Sequence, residues 1–140
     1  MTWPEPAGLD NNHISIALPN SPKGASTARK QFIAFLRHFG LPQRIVDDLE
    51  SVIGEALANA AEHGYKPNGR LHLEARLHDT HIEITVCDDG RGFLLKGPIS
   101  TTHPEPNSPR GYGLFMMQAL VDQMEFRNDG KTVWFLKRLP

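Results

Sequence analysis

The apolar positions of this chain follow two rhythms. Ile45, Leu49, Val52, Ile53, Ala56 and Ala60 recur every three or four residues, the interval that places them on one stripe of a helix. An earlier run, Ala25, Ala28, Phe32, Phe35, Leu36 and Phe39, keeps the same interval. It follows Ser21-Pro22, a capping serine with proline at the first helical position, and stops at Gly40. Other stretches alternate. Residues 13–18 do so, and Leu71, Leu73, Ala75 and Leu77 share a face opposite His72, Glu74 and Arg76. Ile82, Ile84 and Val86 share a face too, and by period two Asp88 continues their row. A third helix is expected after Arg110-Gly111-Tyr112-Gly113, with Leu114, Met117, Leu120 and Val121 on one side. Residues 124–128 and 132–136 flank Asp129-Gly130, a hairpin signal. Neighbouring strands without crossover helices imply an α+β fold. We expect a two-layer sandwich whose mostly antiparallel, mixed sheet is covered on one face by about three helices.

Composition narrows the function without naming it. The chain has 140 residues, which is one domain's worth; residues 1–11 read as a flexible tail and 12–140 as a single domain. A net charge of −1 without a basic block argues against a dedicated nucleic-acid or anionic-membrane binder. No apolar run reaches the length of a membrane span, and Trp3, Pro4, Glu5 and Pro6 are not a signal peptide. A single cysteine, Cys87, forbids an internal disulfide and suits a reducing cytoplasm; no base accompanies it, so it reads as packed and inert. Seven histidines show no metal spacing; His72, His78 and His81 surround a turn and read as surface residues. Met116, Met117, Leu120 and Met124 read as core of the third helix.

Three stretches carry candidate chemistry. Glu55, Asn59 and His63 are spaced by four, so they line one edge of the apolar stripe. A solvated helix would put such groups opposite its stripe; a carboxylate and an amide at its border either line a cleft or are ordinary boundary residues. Asp88, at the end of a core-facing row, needs a ligand or a hydrogen-bond partner, or else caps a local turn. The segment 94–110 has no periodicity and includes Pro98, Pro104, Pro106 and Pro109; a loop of that length is usually functional, often a lid. One nucleotide site would use all of these. Asn59 offers a neutral oxygen for a hard Mg²⁺ already held by phosphates, and Asp88 accepts from an adenine amino group. Gly90 and Gly92 admit close backbone approach, and Gly111 and Gly113 open a helix whose free N–H groups attract phosphate. Dinucleotide-binding and Walker-type glycine patterns are absent.

Glu55-x3-Asn59-Ala-x2-His63-Gly-Tyr65, Val86-x-Asp88-x-Gly90-x-Gly92-Phe93 and Arg110-Gly111-x-Gly113-Leu114, in that order, resemble the boxes of the Bergerat-type (GHKL) ATPases. That superfamily includes histidine kinases and type II topoisomerase ATPase domains. Within it the chain most resembles the bacterial anti-sigma factor serine-protein kinases of partner-switching systems, over roughly residues 12–138. The resemblance implies ATP and Mg²⁺ as cofactors. It implies Glu55 as general base, Asn59 as the metal ligand and Asp88 with Gly90 and Gly92 around adenine. Arg110, Gly111, Gly113 and Leu114 would border the phosphates, with 94–110 as lid. His63 either approaches a phosphate or caps its helix, and Arg91 either reaches a phosphate or is solvated.

The same resemblance implies a cytoplasmic homodimer. It would phosphorylate a serine or threonine of a STAS-domain antagonist and hold a sigma factor or another output protein. These partners rest on the resemblance alone. A second reading is a nucleotide-gated, output-sequestering module with little kinase activity, suggested by a proline-rich lid without a glycine run. A third, a histidine-kinase fragment, is disfavoured because Glu55 stands where those enzymes carry histidine.

Overall fold

The computed structural model describes residues 12–63, 68–89 and 109–140; of His63, residues 109–112 and Asp129 it describes the backbone alone. The expected tail, Gly64-Tyr65, Gly90, Arg91, Gly92 and the lid up to residue 108 lie outside the described residues.

The elements follow the expected order: β1 (His13–Pro19), α1 (Pro22–His38), α2 (Gln43–His63), β2 (Arg70–Leu77), β3 (His81–Asp88), α3 (Pro109–Leu120), β4 (Gln123–Arg127) and β5 (Thr132–Arg138). The strands form one sheet in the order β1-β2-β3-β5-β4, and every pairing is antiparallel. The β2–β3 and β4–β5 pairs are hairpins, and α1 with α2 returns the chain antiparallel between β1 and β2, so the sheet contains no parallel pair among the described residues.

Register builds the core in rows. Ile14, Ala75, Ile84, Phe135 and Met124 face one another across all the strands, and Ile16, Leu73, Val86, Val133 and Phe126 form the next row. The stripe of α2 packs on these rows: Ile45, Leu49, Val52, Ile53, Ala56 and Ala60 are all buried, as are Phe32 and Leu36 of α1. Met117 of α3 is fully buried, while Met116, Leu120 and Met124 are partly buried against the same core.

Local chemistry fixes the helix ends. Ser21 caps α1, its Oγ accepting from the Gly24 N–H at 3.0 Å. Gly24 allows the close approach of the Pro19 carbonyl, whose space a methyl group there would invade. Gly40 ends α1 with φ of +68°, a backbone that favours glycine. Asn20, which is buried, donates through Nδ2 to the Ala60 carbonyl at 3.1 Å and through its backbone to Gly69 at 3.0 Å. It thereby satisfies one of the last carbonyls of α2, which has no partner inside the helix.

Two expectations shift. The hairpin after α3 is not a two-residue turn: Arg127 pairs with Thr132, and a 3₁₀ turn at Asn128–Gly130 fills the corner with Lys131. Asn128 and Gly130 both take left-handed φ, +54° and +84°, so the strand stops one residue before the expected Asn128. The third helix begins at Pro109, inside the stretch expected to be lid. No helix among the described residues is long and apolar enough to cross a membrane.

Candidate functional site

Asp88 occupies the place of a core residue in a row that lacks its far members. Leu18, Leu71 and Asp88 make the third row of the sheet. The β5 pairing with β3 ends at Cys87 and Thr132, and the turn then carries Lys131 across, whose carbonyl accepts the Asp88 N–H at 2.9 Å. Asp88 is therefore only 5% exposed, yet it borders a cleft instead of apolar packing. The adjacent Asp89 turns the other way and accepts the Arg70 N–H at 2.8 Å, closing the mouth of the β2–β3 ladder.

The cleft lies between α2, the end of β3, α3 and the β4–β5 turn. Asn59 and Asp88 both line it, with Lys131 at the turn. Its apolar walls include Ala56 and Ala60 from α2, Met117 from α3 and Phe126 from β4. The alanines leave the space beside Asn59 that a larger side chain would take. The free volume is about 20 Å³, room for one water, so a purine enters only if α3 or the turn gives way. A wider groove of about 570 Å³ between α1 and α2, bordered by Ala25, Arg29, Leu57 and Ala61, contains neither Asn59 nor Asp88.

Glu55 stands one turn before Asn59 on α2, half-buried. Burial, and secondarily the charge of Glu62, raises its pKa above the ordinary 4.5 of a glutamate. The helix α3 crosses it so closely that a methyl group on Gly113 would occupy the space of the Glu55 carboxylate. Gly113 is the fifth residue of α3, past the first turn, where helix N–H groups are already engaged. Its place is thus the crossing with α2, whereas Arg110 and Gly111 lie in the first turn, where free N–H groups and the helix dipole favour anions. Leu114 is partly buried against the core. The side chain of His63, Gly90 and Gly92 lie outside the described residues.

At its other end α3 is tied down. Lys137 of β5 donates from Nζ to the Leu120 carbonyl at 2.6 Å and lies 3.5 Å from Asp48 of α2. A cation at a helix C-terminus is favourably placed against the dipole. The residues that pattern alone did not mark for this site are Met117, Phe126 and Lys131; the Asp129-Gly130 signal located the turn but not its position over Asp88.

The donor set fits a magnesium nucleotide. Mg²⁺ keeps most of its shell as water and phosphate oxygens and needs few protein ligands; Asn59 supplies one neutral oxygen at the cleft, and Asp88 a buried carboxylate for an amino donor.

Residues 18–137 match the protein family described as the histidine kinase-like ATPase domain. Among curated proteins, the chain is 29% identical to the serine-protein kinase RsbW of Oceanobacillus iheyensis over 126 residues, 84% of this chain and 80% of that one. It is 27% identical to RsbW of Bacillus subtilis over 143 aligned residues, covering 94% and 89% of the two chains. The anti-sigma F factor of Shouchella clausii is 26% identical over 137 residues, 91% and 93% of the two. Among solved structures, the RsbU and RsbW domains of a Mycobacterium tuberculosis protein align with a TM-score of 0.65 at 23% identity. That alignment covers 91% of this chain and 32% of the other, and it bears on the fold.

Proposed function

This chain belongs to the histidine kinase-like ATPase domain family, and from that premise we propose that it is an ATP-dependent protein serine/threonine kinase of a bacterial partner-switching system. Its substrate would be a serine or threonine of a STAS-domain antagonist. As the name of one relative, an anti-sigma F factor, suggests, it would also bind a sigma factor or another output protein, acting as a cytoplasmic homodimer. The observation that carries this reading is the convergence of Asn59 and Asp88 on one cleft, with Glu55 one helical turn away.

Bound Mg²⁺ and ATP would supply the phosphoryl group and neutralise its charge. The chain's own residues would do the rest. Asp88 would accept a hydrogen bond from the adenine amino group, with Gly90 and Gly92 beside the base. Asn59 would hold the metal through its amide oxygen. Arg110 and Gly111 would present the first turn of α3 to the phosphates; Gly113 and Leu114 would hold that helix in place, and His63 would stand at the end of α2. Glu55 would take the proton of the attacking hydroxyl, help worth about 10²–10⁴ in rate. Most of the acceleration in phosphoryl transfer comes from positioning and electrostatics.

A second reading, a nucleotide-gated binding module with little transfer activity, draws on the contact that shields Glu55 behind Gly113. Incubation with γ-labelled ATP and a STAS-domain protein separates the two. The kinase reading expects label on the STAS protein, lost in Glu55→Ala with ATP binding retained, and ATP binding itself lost in Asp88→Ala. Tight ATP binding with no label on any STAS protein would favour the module, and wild-type transfer by Glu55→Ala would remove Glu55 from the mechanism.

A further inference from the structure

The β2–β3 turn lies at the opposite end of β3 from Asp88, seven residues or about 23 Å along the strand. It gathers three side chains that the sequence separates. The imidazoles of His78 and His81 stack with ring centroids 4.4 Å apart and planes 24° from parallel. Glu83 Oε1 lies 3.6 Å from His81 Nε2 and 4.0 Å from His78 Nε2. One donor atom from each residue falls within 4.8 Å of the others. His78 and His81 keep partly exposed side chains, as expected of residues around a turn, and the turn, not their spacing, brings them together with Glu83.

The frame around them is fixed. The His78 N–H donates to the His81 carbonyl at 2.8 Å, and the Leu139 N–H donates to the Thr80 carbonyl at 2.9 Å. Thr80 Oγ1 lies 3.0 Å from His81 Nδ1. With Nδ1–H donating to that hydroxyl, the lone pair of His81 is on Nε2, beside Glu83. This is the role that second partners play for metal-binding histidines, setting tautomer and ring orientation. His78 Nε2 is shielded from water and has no hydrogen-bond partner, although the side chain as a whole is 37% exposed. A polar nitrogen sealed from water without a partner is unfavourable, and a bound cation would remove that penalty.

We infer that His78, His81 and Glu83 form a binding site for a borderline divalent ion of the zinc class, separate from the nucleotide cleft. Two imidazoles and one carboxylate suit zinc and its neighbours better than magnesium or calcium, which take oxygen shells. In a tetrahedral zinc site the donor atoms lie roughly 3.3–3.6 Å apart. The Glu83–His81 pair already meets that separation and the Glu83–His78 pair needs a few tenths of an ångström; the two imidazole donors, within 4.8 Å, would close in as the rings turn out of their stack. All three side chains are partly exposed, but His78 Nε2 itself is sealed, so the ion would enter as the His78 ring turns toward Glu83, with a water completing its shell. Because Thr80 also anchors Leu139, the ion would brace the turn and the end of β5 together. The inference does not depend on the kinase reading.

The test uses the whole chain without nucleotide. Zn²⁺ is titrated in competition with a chromophoric chelator, and Co²⁺ binding is followed in the visible spectrum. We expect one equivalent of Zn²⁺, the intense bands of four- or five-coordinate Co²⁺ and a higher Tm with Zn²⁺. His78→Ala/His81→Ala should abolish all three, as should Glu83→Gln for the Co²⁺ bands. Thr80→Val should weaken Zn²⁺ roughly tenfold. His72, at the far end of β2 with its pKa lowered chiefly by burial, provides the control: His72→Ala should bind as wild type. No stoichiometric Zn²⁺ binding, or a double variant that binds as wild type, would overturn the site.

Discussion

Gly113 brings the backbone of α3 against the carboxylate of Glu55, leaving no room for a β-carbon between them. The helix that would present phosphate donors is therefore packed directly on the group that would take the substrate proton. Gly113→Ala decides how tight this contact is in solution. Helix propensity alone would make the alanine stabilising by about 1 kcal/mol. The added methyl would push aside the flexible end of Glu55 and no backbone, so most of that gain should survive as a higher urea midpoint, while transfer should fall because the carboxylate is displaced. A destabilised variant would show that Glu55 is held too firmly to move.

The raised pKa of Glu55 gives a pH dependence of definite sign. The folded state holds this proton more tightly than the unfolded chain does. Its unfavourable charge is therefore fully present above the raised value and is relieved as pH falls through it toward 4.5. Glu55→Gln should be at least as stable as wild type at pH 7, and the difference should vanish in acid. With Glu55 as the proposed base, transfer would need the carboxylate, so the wild-type rate should begin to fall at a pH above the ordinary glutamate range. Thermal melts and rates across pH 4–8 on both proteins provide the check.

Lys137→Met tests the anchor at the far end of α3. A hydrogen bond from a charged group to a carbonyl contributes about 1.5–3 kcal/mol, and the more exposed pairing with Asp48 adds little. The variant should lose about 1–2 kcal/mol in urea denaturation, whereas Asp48→Asn should lose much less. Equal losses would mean that the ion pair, and not the Leu120 carbonyl, holds the lysine.

Asn20→Ala removes the donor from a carbonyl next to Asn59. A loss of about 1–3 kcal/mol is expected for the buried unpaired group, with faster amide exchange at the end of α2. If Asn59 holds the metal as proposed, binding of magnesium–ATP should weaken because Asn59 follows that helix end. Asn20→Asp should fail to rescue, since a carboxylate has no N–H to donate; full rescue would show that packing alone mattered.

Much of the fold was legible because periodicity is a local property. The stripe from Ile45 to Ala60 is buried along its length, and counting in twos from Ile82 placed Asp88 on the core face of its strand. The boundaries were harder where two signals overlapped. Ser108-Pro109 repeats the Ser21-Pro22 helix start, but it sits among prolines that read as loop, so α3 was expected only after Gly113, several residues too late. Asp129-Gly130 announced a hairpin, while the left-handed Asn128 that widens its corner has no strong signature. The remaining features are tertiary. Met117, Phe126 and Lys131 reach the cleft from elements distant in sequence, and the Glu55–Gly113 crossing depends on the path of α3 over α2.

Both outer ends of the described chain are fastened to the same short turn: Asn12 accepts from the Leu77 N–H at 2.8 Å, and the Leu139 N–H donates to Thr80. Asp88 lies at the opposite border of the sheet. A linker joining residues 12 and 139 directly would span a small gap on the side away from the cleft, so a chain circularly permuted at those positions and opened in an exposed loop should keep its sheet order. For the same reason, a fluorescent probe attached at Leu139 would sit at the border of the sheet away from Asp88.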